Sequence, residues 1–163
     1  RFDMNIDFNP TSKQWEMWEA FDNDHTTEIL FGGSVGSSKS YGLCSLITIK
    51  CLQFPGARVL LGRRVLKELK KTVLVSLFEV FKDFGLKTTD YNYNQQASEV
   101  TFSNGSVIIL SELAFLPSDP NFERLRGNLL TFAAIDEASE VSGKAREIVA
   151  SRCGRSLVLS HYC

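Results

Sequence analysis

No apolar run in this chain approaches the roughly 20 residues needed to cross a bilayer, and its first residues do not have the layout of a signal peptide. No association with a membrane is expected. Cys-x-x-Cys pairs are missing too. Cys44, Cys51, Cys153 and Cys163 stand apart, which argues against a zinc site. Cys44 and Cys51 fall in one predicted helix, where their spacing puts them about 10 Å apart, too far for a disulfide. Reduced, buried cysteines of a cytoplasmic protein are the expectation. Net charge is nearly absent, at -1. Any contact with nucleic acid has to come from a local patch or from a part outside this chain. Internal repeats and low-complexity segments are also lacking.

What remains is ordinary in bulk. The 163 residues are enough for one domain with a real core, and 44% apolar with 23% charged residues fits a globular fold. Trp15, Trp18 and Phe21 recur at short helical spacing, and Asn9-Pro10-Thr11 supplies start signals for a helix over 10–21. A strand is predicted over Glu28 to Phe31, a largely buried helix from Lys39 to about Leu52, and a strand from Ala57 to Gly62. Leu66, Leu69, Val73, Leu77, Phe81 and Phe84 mark one face of a single long helix ended by Gly85. The polar segment from Tyr91 to Gln96 has no clear assignment. Val100-Thr101-Phe102 and Val107 to Leu110 flank Asn104-Gly105, a hairpin signal. A loop with a helical turn is expected over 117–127, a buried strand over Leu129 to Ile135, a helix over Gly143 to Cys153, and a strand over Leu157 to Ser160. Strands alternating with helices predict an α/β fold with a mainly parallel sheet and one antiparallel hairpin. A strand so close to the last residue suggests a piece of something longer.

The segment Phe31-Gly32-Gly33-Ser34-Val35-Gly36-Ser37-Ser38-Lys39-Ser40 carries the first chemical signal. It follows the phosphate-loop pattern G-x-x-x-x-G-K-[ST] at Gly33, Lys39 and Ser40, with Ser38 in place of the second glycine. A loop that wraps a phosphate aims successive backbone N–H groups inward, so small residues and glycine suit it. The helix that follows points its positive end at the same spot. Lys39 would reach the β- and γ-phosphates, and Ser40 would place its hydroxyl on Mg²⁺.

A second signal lies downstream. The apolar run from Leu129 to Ile135 ends in Asp136-Glu137. A buried strand would deliver Asp136 to the edge where open α/β sheets bind ligands. Asp136 would hold Mg²⁺ through water, and Glu137 would polarise the attacking water. Taken alone, these two acids could equally start a helix; the phosphate loop upstream makes the pair specific. Gln14 could pair with the N6 and N7 edge of adenine, although spacing alone is explained as well by a surface glutamine. Arg124 and Arg126 precede the Asp136 strand, and Arg63 and Arg64 end another strand at the same sheet edge. Each is a candidate for the cation that speeds phosphoryl transfer.

This series of motifs resembles the ATPase domain of the large terminase subunit of tailed bacteriophages. The likeness runs through the Gln14 region, Gly32 to Ser40 as Walker A, Leu60-Leu61-Gly62-Arg63-Arg64, the hairpin Phe102 to Ile108, Leu125-Arg126-Gly127, and Ile135-Asp136-Glu137-Ala138 as Walker B. The resemblance implies a RecA-like P-loop NTPase of the ASCE type spanning residues 1–163, truncated at its C-terminus and lacking the nuclease domain, so that it would not cut DNA. It implies Mg²⁺-dependent ATP hydrolysis that drives double-stranded DNA into a procapsid. The nucleotide would be bound by Gln14, Gly33, Ser34, Val35, Gly36, Ser37, Ser38, Lys39 and Ser40, and the metal by Ser40 and Asp136. Glu137 would be catalytic. Arg126, with Arg124 second, would act on the ATP of a neighbouring subunit. Many relatives have an arginine inside Walker A, where this chain has Ser34 and Val35, which gives a neighbour's arginine more weight or activity less. Ser160 matches the place of the family's coupling motif, with His161 beside it. The implied partners are a homo-oligomeric ring on a portal protein and a small terminase subunit, in the cytoplasm of the infected host. The rival readings are a helicase-like ATPase, and a nucleotide-binding assembly module without turnover.

Overall fold

The structure, a computed structural model, describes residues 9–22, 28–33, 37–154 and 157–162, with the backbone alone for 28–33, 37–38 and 157–162.

Helix α1 (Ser12–Asp22) starts with a reciprocal cap. The Thr11 N–H donates to Gln14 Oε1 at 2.9 Å, and the Gln14 N–H reaches Thr11 Oγ1 at 3.4 Å. This T-x-x-Q pairing satisfies two of the helix's orphan donors. The face it buries is Gln14, Met17 and Phe21. Trp15 is 54% exposed, so the face implied by Trp15, Trp18 and Phe21 is rotated from the one that packs.

Strand β1 (Glu28–Gly33) leads to α2 (Ser37–Gln53), which is buried on most sides through Leu43, Cys44, Leu46, Ile47 and Cys51. Strand β2 (Arg58–Arg63) follows. The single long helix expected next is two: α3 (Leu66–Lys71) and α4 (Val73–Asp83). They break at Thr72, whose backbone sits at φ -117°, ψ -73°. Its hydroxyl donates to the Glu68 carbonyl at 2.8 Å. Such back-bonding by a β-branched residue competes with the regular helix ladder and bends it. The apolar stripe survives the break because Leu69, Val73, Leu77 and Phe81 stay in one core. Gly85 ends α4 at φ +73°, with its N–H on the Lys82 carbonyl and that of Leu86 on the Phe81 carbonyl, a Schellman closure that favours glycine.

The unassigned polar segment forms β3 (Tyr91–Asn94), which pairs with β4 (Glu99–Phe102) and, through it, β5 (Val107–Glu112). The expected hairpin is present, and its turn also caps α2. Asn104 Nδ2 donates to the Cys51 carbonyl at 2.8 Å, and Ser106 Oγ lies 2.8 Å from the carbonyls of Cys51 and Phe54. The chain then makes α5 (Glu123–Arg126), β6 (Phe132–Ile135), a 3-10 turn (Ala138–Glu140), α6 (Gly143–Ser151) and β7 (Leu157–Tyr162). Strand β6 is shorter than the apolar run implied. Leu129 is 76% exposed, and pairing begins beyond it.

The sheet order is β1-β7-β6-β2-β5-β4-β3. The five strands from β1 to β5 in that order are parallel; β4 and β3 continue antiparallel. Strand β7 thus stands between the strand that leads into the phosphate-loop segment and the strand that ends in Asp136. Side chains alternate across the sheet. Val59, Leu61, Phe132 and Ala134 face a core shared with α1, α2, α3 and α4. Leu60, Ala133 and Ile135 face a second core with α5 and α6. Phe21 meets Phe132 edge to face at 4.9 Å, which locks α1 onto the first layer. This is the predicted mainly parallel α/β fold, of the P-loop NTPase kind.

Candidate functional site

Two segments converge on the C-terminal edge of the parallel strands. At the first, β1 ends at Gly33 and α2 begins at Ser37. Ser34, Val35 and Gly36 lie outside the described residues, as do the side chains of Ser37 and Ser38. Lys39 is 5% exposed, and Ser40 beside it is partly buried. A surface lysine on a Gly/Ser turn would extend into water, as charged side chains ordinarily do. Lys39 instead sits under cover, close enough to Asp136 and Glu137 for its charge to act on both carboxyls.

At the second, Asp136 follows directly on β6. Its N–H donates to the Gly62 carbonyl at 2.8 Å, extending the parallel ladder by one step. By alternation its side chain lies on the α2 side, the side of Phe132 and Ala134. Asp136 and Glu137 are 3% and 6% exposed. Burial pushes the Asp136 carboxyl above its usual range, against the lowering pull of Arg63 and Lys39. Burial, then the neighbouring Asp136 charge, raises Glu137. Two acids in a desolvated corner are short of positive charge, and a bound cation would relieve that.

Glu137 adopts a left-handed backbone, φ 50°, ψ 51°. For a residue with a side chain this conformation costs on the order of 1 kcal/mol. The 3-10 turn holds it through the Glu140 N–H on the Glu137 carbonyl at 3.0 Å. The strain turns the chain sharply after Asp136 and separates the directions of the two consecutive acids.

Gln14 is buried, not on the surface where spacing alone would leave it. It packs on α2 two residues past Ser40. A Cβ on Gly42 would lie 2.7 Å from Gln14 Cγ and 2.8 Å from its Nε2. The capping pattern Thr11-Ser12-Lys13-Gln14 and a glycine inside α2 were the sequence signals for this contact. Neither involves apolar periodicity.

The arginines divide. Arg63 ends β2 and donates from Nη1 to Asp136 Oδ2 at 3.1 Å, so the structure joins it to the acid pair. Arg64 is exposed. Arg124 is engaged locally: Nη1 on Asp119 Oδ2 at 2.9 Å, Nη2 on the carbonyls of Ala114 at 2.6 Å and Glu112 at 3.3 Å, and its guanidinium 5.3 Å from the Phe122 ring centre. It staples the β5–α5 loop. The Arg126 side chain is 41% exposed, with Nε near the Asn121 carbonyl and Glu123, both at 3.4 Å. These contacts of both residues lie within the β5–α5 segment. Ser160 stands beside Phe31 in the parallel register of β7 and β1; its side chain and that of His161 are outside the described residues.

Candidate oxygen ligands for a cation are the Ser40 hydroxyl, next to Lys39 in the first turn of α2, and the Asp136 carboxylate. Both are hard oxygen ligands of the kind Mg²⁺ takes while keeping several waters. Among the described residues no cluster of three or more His, Cys, Asp or Glu could form a metal cage.

The fold recurs in solved structures. The chain superposes on the large terminase of a thermophilic bacteriophage with a TM-score of 0.74 and 15% identity, covering 94% of this chain and 39% of that one. The same terminase in complex with ATP-γ-S gives 0.71 at 16% identity, covering 94% and 38%. The ATPase domain of the Thermus phage P74-26 large terminase gives 0.67 at 14%, covering 95% and 66%. The chain therefore spans well under half the length of a full large terminase. No curated protein matches the sequence. A family model described as phage terminase large subunit matches residues 24–154. With that match over most of its length, the chain belongs to the phage terminase large-subunit family and has the fold of that family's ATPase domain.

Proposed function

We propose that this chain is the ATP-hydrolysing motor domain of a large terminase and that Mg²⁺-dependent hydrolysis drives double-stranded DNA into a procapsid. The observation that carries the reading is the covered Lys39 lying close to the buried pair Asp136 and Glu137 at one sheet edge. A related terminase of the same fold has been solved with ATP-γ-S, which supports a nucleotide as the ligand.

In this reading the amides of Gly33 to Ser38 and the start of α2 cradle the phosphates, and Lys39 draws charge from the β- and γ-oxygens. Gln14 lies against α2 where it could meet the base. Ser40 and Asp136 would hold magnesium, which when bound neutralises charge developing on the phosphates. Glu137, whose carboxyl burial pushes above its usual range, is a stronger base than a solvated carboxylate and is suited to orient water and accept its proton. Arg126, exposed on short α5, is the better placed of the two arginines to reach a neighbour's nucleotide; Arg124 is already spent on its own loop. Residues 1–163 act as a single ATPase domain. The working assembly is a homo-oligomeric ring on a portal, with a small terminase subunit, in the cytoplasm of the infected host. No described helix is long and apolar enough to cross a membrane.

Calorimetry of ATP with Mg²⁺, comparing the native chain with Lys39→Ala, tests the site. Binding by the native chain and its strong loss in the variant are expected. Equal binding by both would overturn the reading. Turnover that rises with protein concentration would then support an arginine supplied by a neighbour.

A further inference from the structure

Arg63 does not behave as a solvated charge. Its side chain is 16% exposed, and that of Asp136 is 5% exposed. Nη1 lies 3.1 Å from Asp136 Oδ2 and 3.1 Å from Thr72 Oγ1, while Nε is 3.6 Å from Glu68. The register makes this pairing obligatory. Gly62 stands opposite Ile135 in parallel β2 and β6, so the next residues, Arg63 and Asp136, leave the sheet side by side on the α2 face. The same Nη1 is also held by the Thr72 hydroxyl, at the break between α3 and α4.

The guanidinium reaches one carboxylate oxygen through one nitrogen. A bidentate fork would occupy both oxygens and close the carboxylate to other ligands. The observed contact engages Oδ2 alone and so does not by itself close both oxygens of Asp136. Partners of a ligating carboxylate that do not touch the metal commonly set its aim, and their loss typically costs about 10–100-fold in metal affinity.

We propose that Arg63 is a positioning residue: anchored by Thr72, it holds the Asp136 carboxylate in the orientation that receives a divalent cation. This rests on the ATPase reading above. It differs from a role in charge balance, in which removing Arg63 would weaken the whole site or the whole fold. It also differs from competition, in which removing Arg63 would ease metal entry.

The test is ATP binding to the complete 163-residue chain, in chelator and across a Mg²⁺ titration, for the native protein, Arg63→Gln, Arg63→Lys and Thr72→Val. The expected result is a split. The Mg²⁺ concentration for half-maximal enhancement of binding rises by about tenfold or more in Arg63→Gln, while metal-free affinity falls far less. Thr72→Val, which keeps the charge and loses the anchor together with the hydroxyl's bond to the Glu68 carbonyl, shows a smaller rise in the same direction. Arg63→Lys falls between native and Arg63→Gln, since it keeps the charge without the planar fork. An unchanged or lowered Mg²⁺ requirement in Arg63→Gln overturns the proposal, as does an equal loss with and without metal. If Arg63→Gln does not fold, Thr72→Val decides, and a native Mg²⁺ requirement there overturns it. Failure of the native chain to bind ATP would instead count against the ATPase reading.

Discussion

Gln14 occupies the space that a side chain on Gly42 would need, with its Cγ 2.7 Å from where a Cβ would begin. Helix α1 is thereby seated on the helix that follows the phosphate loop. Gly42→Ala should destabilise the domain by about 1–3 kcal/mol through overpacking, despite the better helix propensity of alanine. Gln14→Ala should relieve that clash, so the double variant should be more stable than the sum of the single changes allows. Denaturant melts of the four proteins form the cycle that checks it.

Glu137→Gln keeps shape and hydrogen bonding while removing the base. ATP affinity should persist, and the turnover of an assembled motor should fall by about 10²–10⁴-fold. Calorimetry and phosphate release measured on one preparation separate the two. Turnover at the native rate would remove Glu137 from the chemistry.

Arg124 and Arg126 sit two residues apart and should fail differently. Arg124→Ala leaves the carbonyls of Glu112 and Ala114 and the Asp119 carboxylate without their cation, so the melting temperature should drop by several degrees. Arg126→Ala should leave the melting temperature near native and lower turnover only where subunits are assembled. Mixing Arg126→Ala with Lys39→Ala protein should restore some activity if one subunit's arginine serves another's nucleotide.

The Arg124 side chain, followed by local N–H donors, holds the Asp119 carboxyl below its usual range. A folded value below the unfolded one, about 3.9, means the stabilisation is complete above that pH and is lost as pH falls through the folded value. The gap in melting temperature between native protein and Asp119→Asn should therefore be steady near neutrality and close in acid. Because the pair is partly exposed, salt should narrow it as well.

Much of the fold was legible because its signals are local. Asn104-Gly105 announced a hairpin, and apolar runs alternating with helical stripes announced a parallel sheet. The Thr72 break was hidden by its own packing, since Leu69, Val73, Leu77 and Phe81 keep one unbroken apolar rhythm across it. The polar strand β3 has no rhythm to read; it is recruited by β4, with Tyr91 and Tyr93 resting on Phe78. At the site, the motif spacing pointed to Lys39, Asp136 and Glu137, and the structure brings these three together. The tie between Arg63 and Asp136 depends on which strands become neighbours, a tertiary fact no local pattern encodes. The burial of Gln14 was masked by Trp15 and Trp18, whose size suggested a different inward face.

The place of β7 has a consequence for how the site is born. Among the described strands β1 pairs only with β7, and β7 is the last of them to be synthesised. The strand that leads into the phosphate-loop segment must therefore wait until β7 has been made before its ladder can close. Such distant pairing is slow, because the entropy of the intervening loop is lost before the contact rewards it. During translation, β2 can find β5 and then β6 while β1 is still unpaired. In the proposed function ATP would thus have nothing to grip until β7 is in place, which makes nucleotide binding a late reporter of β1 pairing.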